Sequence, residues 1–269
     1  MDFNELSKIK NESERVNKTY EIFNEDIRLN HSKAARVEFL TTIQYIEKYL
    51  KNGDKILDIG AGAGEYSFYF ARKGYEVHAL ELADANIAAF RKKLTSEDNI
   101  DIIQGNALNL SCYADKYFDI VLLFGPLYHL QNNADKLKCI DEAKRVLKDT
   151  GKIFFAFIAN DFVFLSELAH DANYFNNGDY NKETFRLNDF PFVFHTVDAC
   201  RNLLANGKIR VLHEIASDGA SELMAERINS LNDEDYAQYL RYHFYICEKP
   251  EMLGMTNHLL FVGEKTIEN

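Results

Sequence analysis

The chain has 269 residues, 46% of them hydrophobic and 27% charged, with a formal net charge of −11. That length suits one α/β domain with a sizeable core, and the balance of apolar and charged residues excludes a disordered chain. The acidic excess argues against a surface that grips nucleic acid or an anionic membrane through phosphates. It leaves a small neutral or cationic molecule as the expected partner.

The stretch from Met1 to Lys18 is polar and lacks the apolar core of a signal peptide. No run approaches the roughly 18 apolar residues of a membrane span. Cys112, Cys139, Cys200 and Cys247 lie far apart without a CxxC pair, so reduced thiols and a cytoplasmic location are expected.

Helical spacing of Val37, Leu40, Ile43, Ile46 and Leu50 predicts a helix over Ser32 to Leu50, broken by Asn52, Gly53 and Asp54. Apolar runs and helical stretches then alternate. Strands are expected at Lys55 to Ile59, Tyr75 to Leu80, Ile100 to Gln104, Phe118 to Phe124 and Lys152 to Ile158. Helices are expected at Glu65 to Arg72, Asp84 to Leu94 and Asn133 to Leu147, the last stopped near Gly151. Runs such as Ile120 to Phe124 are apolar at every position, as a strand covered by helices on both faces must be. The alternation predicts a doubly wound α/β sheet. Beyond an aromatic-rich segment without regular pattern, Asn160 to His195, come a helix over Val197 to Asn206 and a strand over Ile209 to Ile215. A helix over Asp233 to Tyr245 and a final strand over His258 to Gly263 follow.

The strongest local signal is the turn Gly60, Ala61, Gly62, Ala63, Gly64 between the first strand and a helix. Glycines there let the backbone turn sharply and approach a ligand closely. The dinucleotide pattern G-x-G-x-x-G would need glycine at position 65, which is Glu65. Asp58, two residues before the first glycine, would repel a pyrophosphate but suits the ammonium group of S-adenosylmethionine. Glu81, at the end of the next strand, is placed to accept from ribose hydroxyls. The third strand ends in Gln104, Gly105, Asn106 and Ala107, and the fourth runs into Phe124 to His129. All four strand ends converge on one crevice.

The ordered segments ILDIGAGAGEYS, HALEL, QGNALNL and FDIVLLFGPLYHL resemble the class I S-adenosylmethionine-dependent methyltransferases, in particular a bacterial group with a GPLYHL-type turn after strand four. The resemblance is close over Lys55 to Ile158 and looser to the end of the chain. It implies a Rossmann-like, seven-stranded mixed sheet with an antiparallel final hairpin, N-terminal helices and an inserted aromatic-rich cap. It also implies one domain: residues 1–50 as a helical lid, 51–158 as the cofactor-binding core, 159–195 as the cap and 196–269 as the rest of the sheet. The cofactor would be S-adenosylmethionine. Gly60, Ala61, Gly62 and Gly64 would cradle its amino acid and ribose, with Asp58 on the ammonium and Glu81 on the ribose. Leu82 would pack on adenine, Asn106 and Ala107 would meet the adenine edge, and Phe124 would lie beside the methionine moiety. Many relatives carry Asp where this chain has Asn106, whose carbonyl still accepts from an amino group.

The acceptor is expected to be a small molecule and the chain a monomer or homodimer. The Pro-Pro-aromatic and Pro-Cys signatures of nucleic-acid and glutamine enzymes do not follow strand four. No metal is expected, because Gly125 stands where a catechol-type enzyme would place an Asp after strand four, and Asn160 and Asp161 after strand five offer only one amide and one carboxylate. His129 and Tyr128 follow strand four where an acceptor would sit, and His129 is the candidate general base. Methylation of RNA or protein, or binding of S-adenosylmethionine without transfer, are the competing readings.

Overall fold

The computed structural model describes residues 3–23 and 25–266. Met1, Asp2, Asn24 and residues 267–269 lie outside the described residues, and with them the ends of the polar Met1–Lys18 stretch and of the segment 196–269. A single turn, α1 (Phe3–Leu6), precedes α2 (Glu12–Ile22), which opens on Asn11, whose side chain accepts from the Glu14 N–H at 3.0 Å. There follow α3 (Arg36–Glu47), β1 (Lys55–Ile59), α4 (Glu65–Arg72), β2 (Glu76–Glu81), α5 (Asp84–Lys93), β3 (Ile100–Gln104) and β4 (Phe118–Leu123). Next come α6 (Pro126–His129), α7 (Asn133–Val146), β5 (Leu147–Ala159), α8 (Val163–His170), α9 (Tyr174–Asn177) and β6 (Phe194–His195). The chain continues with α10 (Val197–Asn206), β7 (Ile209–Ala216), α11 (Ala225–Ser230), α12 (Asp233–Ile246) and β8 (His258–Lys265).

The sheet runs β3-β2-β1-β4-β5-β8-β7, with the two-residue β6 beside the end of β5. The first five strands of this path are parallel, and β8 is antiparallel to both β5 and β7. This is the expected doubly wound mixed sheet with its closing hairpin, enlarged by β6. Side chains alternate between two cores. Leu57, Ile59, Val121, Phe155 and Phe157 face α7 and α10, while Ile56, Ile120, Leu122 and Phe154 face α3 and α4. Both cores exclude water, which is why runs such as Ile120 to Leu123 and Ile153 to Phe157 are apolar at successive positions.

Two of the boundaries that differ from expectation have a local cause. Helix α3 starts at Arg36, because Ser32 to Ala35 form turns in which the Ser32 hydroxyl oxygen accepts from the Ala35 N–H at 3.2 Å. The helix expected to reach Leu147 ends at Val146, and Gly151 lies inside β5. The register jumps from Phe118–Leu147 to Ile120–Lys152, so residues 148–151 bulge outward. A Cβ on Gly151 would stand 2.7 Å from the Asp119 carbonyl oxygen, the close backbone approach that a strand glycine marks.

The parallel strands end on one edge, at Ile59, Glu81, Gln104, Leu123 and Ala159. His258 pairs with Ile158, so the start of β8 stands on that same edge, as does Ser217 after β7. Among the described residues no helix is long and apolar enough to cross a membrane. All four cysteines are free.

Candidate active site

Gly60 adopts φ +80°, and a Cβ there would run into the carbonyl oxygen of Phe124. The β1 and β4 exits therefore cross backbone to backbone, and only glycine permits it. Gly64 also has positive φ, but a Cβ on it would meet the Phe90 ring at 2.5 Å, so it serves the packing of α4 on α5. Over Gly62 stands Glu25 of the N-terminal segment, 3.0 Å from where a Cβ would be.

Beneath this turn Asp58 is buried. One carboxylate oxygen accepts from the Ser67 hydroxyl at 2.7 Å, and the other has no partner. Burial, with the nearby Glu81 charge, raises its pKa to about 7. Glu81 is buried too, which raises its pKa. It accepts from the Gly62 N–H at 2.8 Å, the Ala83 N–H at 2.7 Å and the Asn86 side-chain amide at 3.4 Å. A carboxylate has about four acceptor sites, so capacity for a hydroxyl remains.

Gly60, Glu81, Leu82, Asn106, Ala107 and His129 line one crevice, closed by Val16 and Tyr20 of α2. Asn106 accepts from the Leu108 N–H at 2.9 Å and donates to the Ser13 hydroxyl at 3.2 Å, so α2 already engages its amide. Ala61, Gly62 and Gly64 do not line this crevice, and Phe124 and Tyr128 line a neighbouring one.

Consecutive residues after β4 thus face different cavities. His129 turns to the first, where the Tyr20 hydroxyl lies 2.9 Å from its Nε2. Burial, with a smaller contribution from Arg15, pushes the His129 pKa down to about 3. The ordinary imidazole basicity expected for His129 is therefore lost, because its charged form is desolvated. The buried ring is a weaker base than a solvated imidazole. Tyr128 turns to the second cavity, with its hydroxyl 3.7 Å from where a Gly125 Cβ would be, at the contact of Gly125 with Gly60.

The second cavity was not foreseen. Tyr66, Phe124, Tyr128, Leu259 and Leu260 form its apolar wall, and Arg28, Glu38 and His258 its charged one. Arg28 donates to Glu25 at 2.7 Å and to Glu38 at 2.7 Å. His258 Nδ1 is 2.7 Å from Asp218 and 3.3 Å from Glu38. Burial opposes charge on this imidazole, but Glu38 and Asp218 outweigh it and raise the pKa to about 9. The donor atoms of Glu38, Asp218 and His258 lie within 4.8 Å of one another, a grouping that no local sequence spacing announces. The 2.7 Å contact of Asp218 with Nδ1 is a hydrogen bond. Two ligands of one tetrahedral metal would stand about 3.4 Å apart. Arg28 and a proton on the imidazole already balance the carboxylates.

The aromatic segment packs mostly on itself. Tyr174 and Phe175 join Phe164, Tyr180 and Phe185 in a satellite cluster, while Phe192 packs on Phe23, Tyr128 and His129. Asn160 holds this segment, accepting from the Leu187 N–H and donating to the Phe185 carbonyl.

Residues 57–155 match the family model described as methyltransferase domain. The demethylmenaquinone methyltransferase of Clavibacter sepedonicus is 31% identical over 101 residues, 38% of this chain and 40% of that protein. The chain thus spans about two fifths of the length of that curated relative. The [4+2]-cyclase SpnF has a TM-score of 0.60 at 16% identity, with 95% of this chain and 97% of that chain covered. The magnesium protoporphyrin IX methyltransferase of Synechocystis PCC 6803, solved with bound SAH, has a TM-score of 0.57 at 12% identity. That match covers 95% of this chain and 100% of that one. The chain therefore has a Rossmann-like methyltransferase fold, and the segment at its centre matches a methyltransferase domain.

Proposed function

We propose that the protein is an S-adenosylmethionine-dependent methyltransferase acting on a small-molecule acceptor. The observation that carries this reading is the unpartnered oxygen of Asp58, buried beneath a glycine turn too tight for any side chain at Gly60. A buried carboxylate oxygen without a donor is costly, and an ammonium group supplies the donors. S-adenosylmethionine, when bound, supplies an electrophilic methyl on a sulfonium.

Asp58 holds the ammonium and Gly60, Ala61, Gly62 and Gly64 form the cradle. Glu81 receives the ribose hydroxyls, Leu82 packs on adenine, and Asn106 with Ala107 meets the adenine edge. Phe124 and Tyr128 stand between this crevice and the second cavity, which receives the acceptor. Tyr128 orients the acceptor, and His129 acts as a neutral partner that holds Tyr20 over the cofactor. Residues 1–50 serve as the lid, 51–158 as the cofactor core, 159–195 as the cap and 196–269 as the rest of one domain. We place the chain in the bacterial group with the GPLYHL-type turn, as a cytoplasmic monomer or homodimer.

Titration calorimetry with S-adenosylmethionine, S-adenosylhomocysteine and NAD tests this. Both adenosyl ligands are expected to bind and NAD to bind poorly. Tight NAD binding without them overturns the reading.

A further inference from the structure

We propose that His258, held by Asp218, is the general base of the acceptor cavity, and that the acceptor carries an aromatic hydroxyl. The inference rests on the methyltransferase reading above.

Three observations carry it. His258 stands at the carboxyl edge of the sheet, opposite Ile158, and lines the same cavity as Phe124 and Tyr128. Its Nδ1 is occupied by Asp218 at 2.7 Å, and Asp218 is itself fixed by the His258 N–H at 3.1 Å and by the Thr256 hydroxyl. About a quarter of the His258 side chain stays exposed, and its ring hydrogen bond is made through Nδ1 and not Nε2. A carboxylate on one imidazole nitrogen and open space at the other is the arrangement that fixes both ring orientation and tautomer for proton transfer.

The cavity selects the acceptor class. Tyr66, Phe124 and Tyr128 offer aromatic surface to a flat ring. Every cation facing His258 is already paired: Arg28 with Glu25 and Glu38, and the imidazole itself with Asp218 and Glu38. Glu222 and His31 line the adjoining cavity that shares Arg28, Glu38 and His258, and Glu222 accepts from the Asn257 amide. An anionic acceptor therefore meets no free cation, whereas a neutral ring hydroxyl fits. An unperturbed imidazole near pKa 6.5 is about 3.5 units short of a phenol near 10. At about 9, His258 comes within roughly one unit, where proton transfer is nearly balanced.

From the neutral ring, with Nδ1–H on Asp218 and Nε2 unprotonated, the acceptor O–H gives its proton to Nε2 while an oxygen electron pair forms the bond to the methyl carbon. The electrons of the broken carbon–sulfur bond stay on sulfur and cancel its positive charge. The imidazolium keeps its Nδ1–H on Asp218 and releases the Nε2 proton to solvent.

The full-length protein with 13C-labelled histidine and S-adenosylhomocysteine provides the first test. One signal, identified by its loss in His258→Gln, should titrate near pH 9, and Asp218→Asn should move it down by at least one pH unit. 2-Naphthol serves as the acceptor probe with methyl-labelled S-adenosylmethionine. Its methylation should rise about tenfold per pH unit toward pH 9 and fall about 10²-fold or more in His258→Gln, with S-adenosylhomocysteine affinity unchanged. In Asp218→Asn the rise should begin at lower pH. Methylation of aniline but not 2-naphthol, or of neither, overturns the acceptor class. A His258→Gln rate within tenfold of wild type, or a titration indifferent to Asp218→Asn, overturns the base. Stoichiometric Zn²⁺ binding that abolishes the titration does so as well, in favour of a metal. If His258→Gln does not fold, the Asp218→Asn titration and rate profile decide. Failure of the wild type to bind S-adenosylhomocysteine instead strikes the methyltransferase reading itself.

Discussion

The Tyr20 hydroxyl and His129 Nε2 are 2.9 Å apart although 109 residues separate them. Burial keeps the phenol protonated and the imidazole neutral, so the hydroxyl donates to the ring. This bond ties α2 to the turn after β4, across the crevice. Tyr20→Phe should leave Nε2 buried without a donor and cost about 1–3 kcal/mol of stability. It should also raise hydrogen exchange in α2, which bound S-adenosylhomocysteine should suppress. Unchanged melting and exchange would show that the bond does not hold the helix.

The same burial sets a pH dependence. The folded His129 refuses a proton down to about pH 3, while the unfolded chain accepts one below about 6.5. Its contribution to stability is therefore full above pH 6.5 and is lost progressively as pH falls from there toward 3. At pH 5 the loss is about 2 kcal/mol. Urea midpoints of wild type and His129→Asn should converge as pH drops from 7.5 to 5.

Asp58 gives the opposite sign. Its folded pKa near 7 lies above the ordinary carboxylate value, so the ligand-free protein loses stability as pH rises from about 4 to 7. Asp58→Asn should stabilise the ligand-free protein at pH 8, by an amount on the order of 1–4 kcal/mol. The same substitution should weaken S-adenosylmethionine binding. In wild type the dissociation constant should climb as pH falls below about 7, and in Asp58→Asn that dependence should flatten. Calorimetry at pH 6, 7 and 8 checks both.

Glu81→Ala removes the acceptor of the Gly62 and Ala83 N–H groups as well as the proposed ribose partner. A charged hydrogen bond contributes about 1.5–3 kcal/mol, so S-adenosylhomocysteine should bind at least about tenfold more weakly. Glu81→Gln, which keeps one acceptor oxygen, should recover part of the loss. An unchanged dissociation constant in folded Glu81→Ala would place the residue outside the site.

Gly60→Ala should be the most damaging single methyl in the chain. The new Cβ meets the Phe124 carbonyl, and its φ of +80° costs an alanine about 1–2 kcal/mol before any clash. The melting temperature should fall sharply, whereas Gly53→Ala, with nothing within 4 Å, should show only the backbone cost.

The first crevice was legible because it is local. A turn, the residue two before it and the acid at the next strand end sit at fixed distances along parallel strands, so spacing alone brings Gly60, Glu81 and Asn106 together. Strand ends came out well because apolar runs stop abruptly at the sheet edge. The second cavity was not legible, since hairpin pairing and helix docking bring Arg28, Glu38, Asp218 and His258 together. Adjacency in sequence of Tyr128 and His129 carried no sign that the two side chains line separate cavities. The basicity of His129 depends on burial, which no residue spacing reveals.

The family match covers residues 57–155, and every charged residue of the second cavity lies outside it. On the proposed reading, the wall that meets the acceptor draws its charges from positions 28, 38 and 258, outside the segment that matches. Relatedness measured over that segment therefore carries no information about those charges.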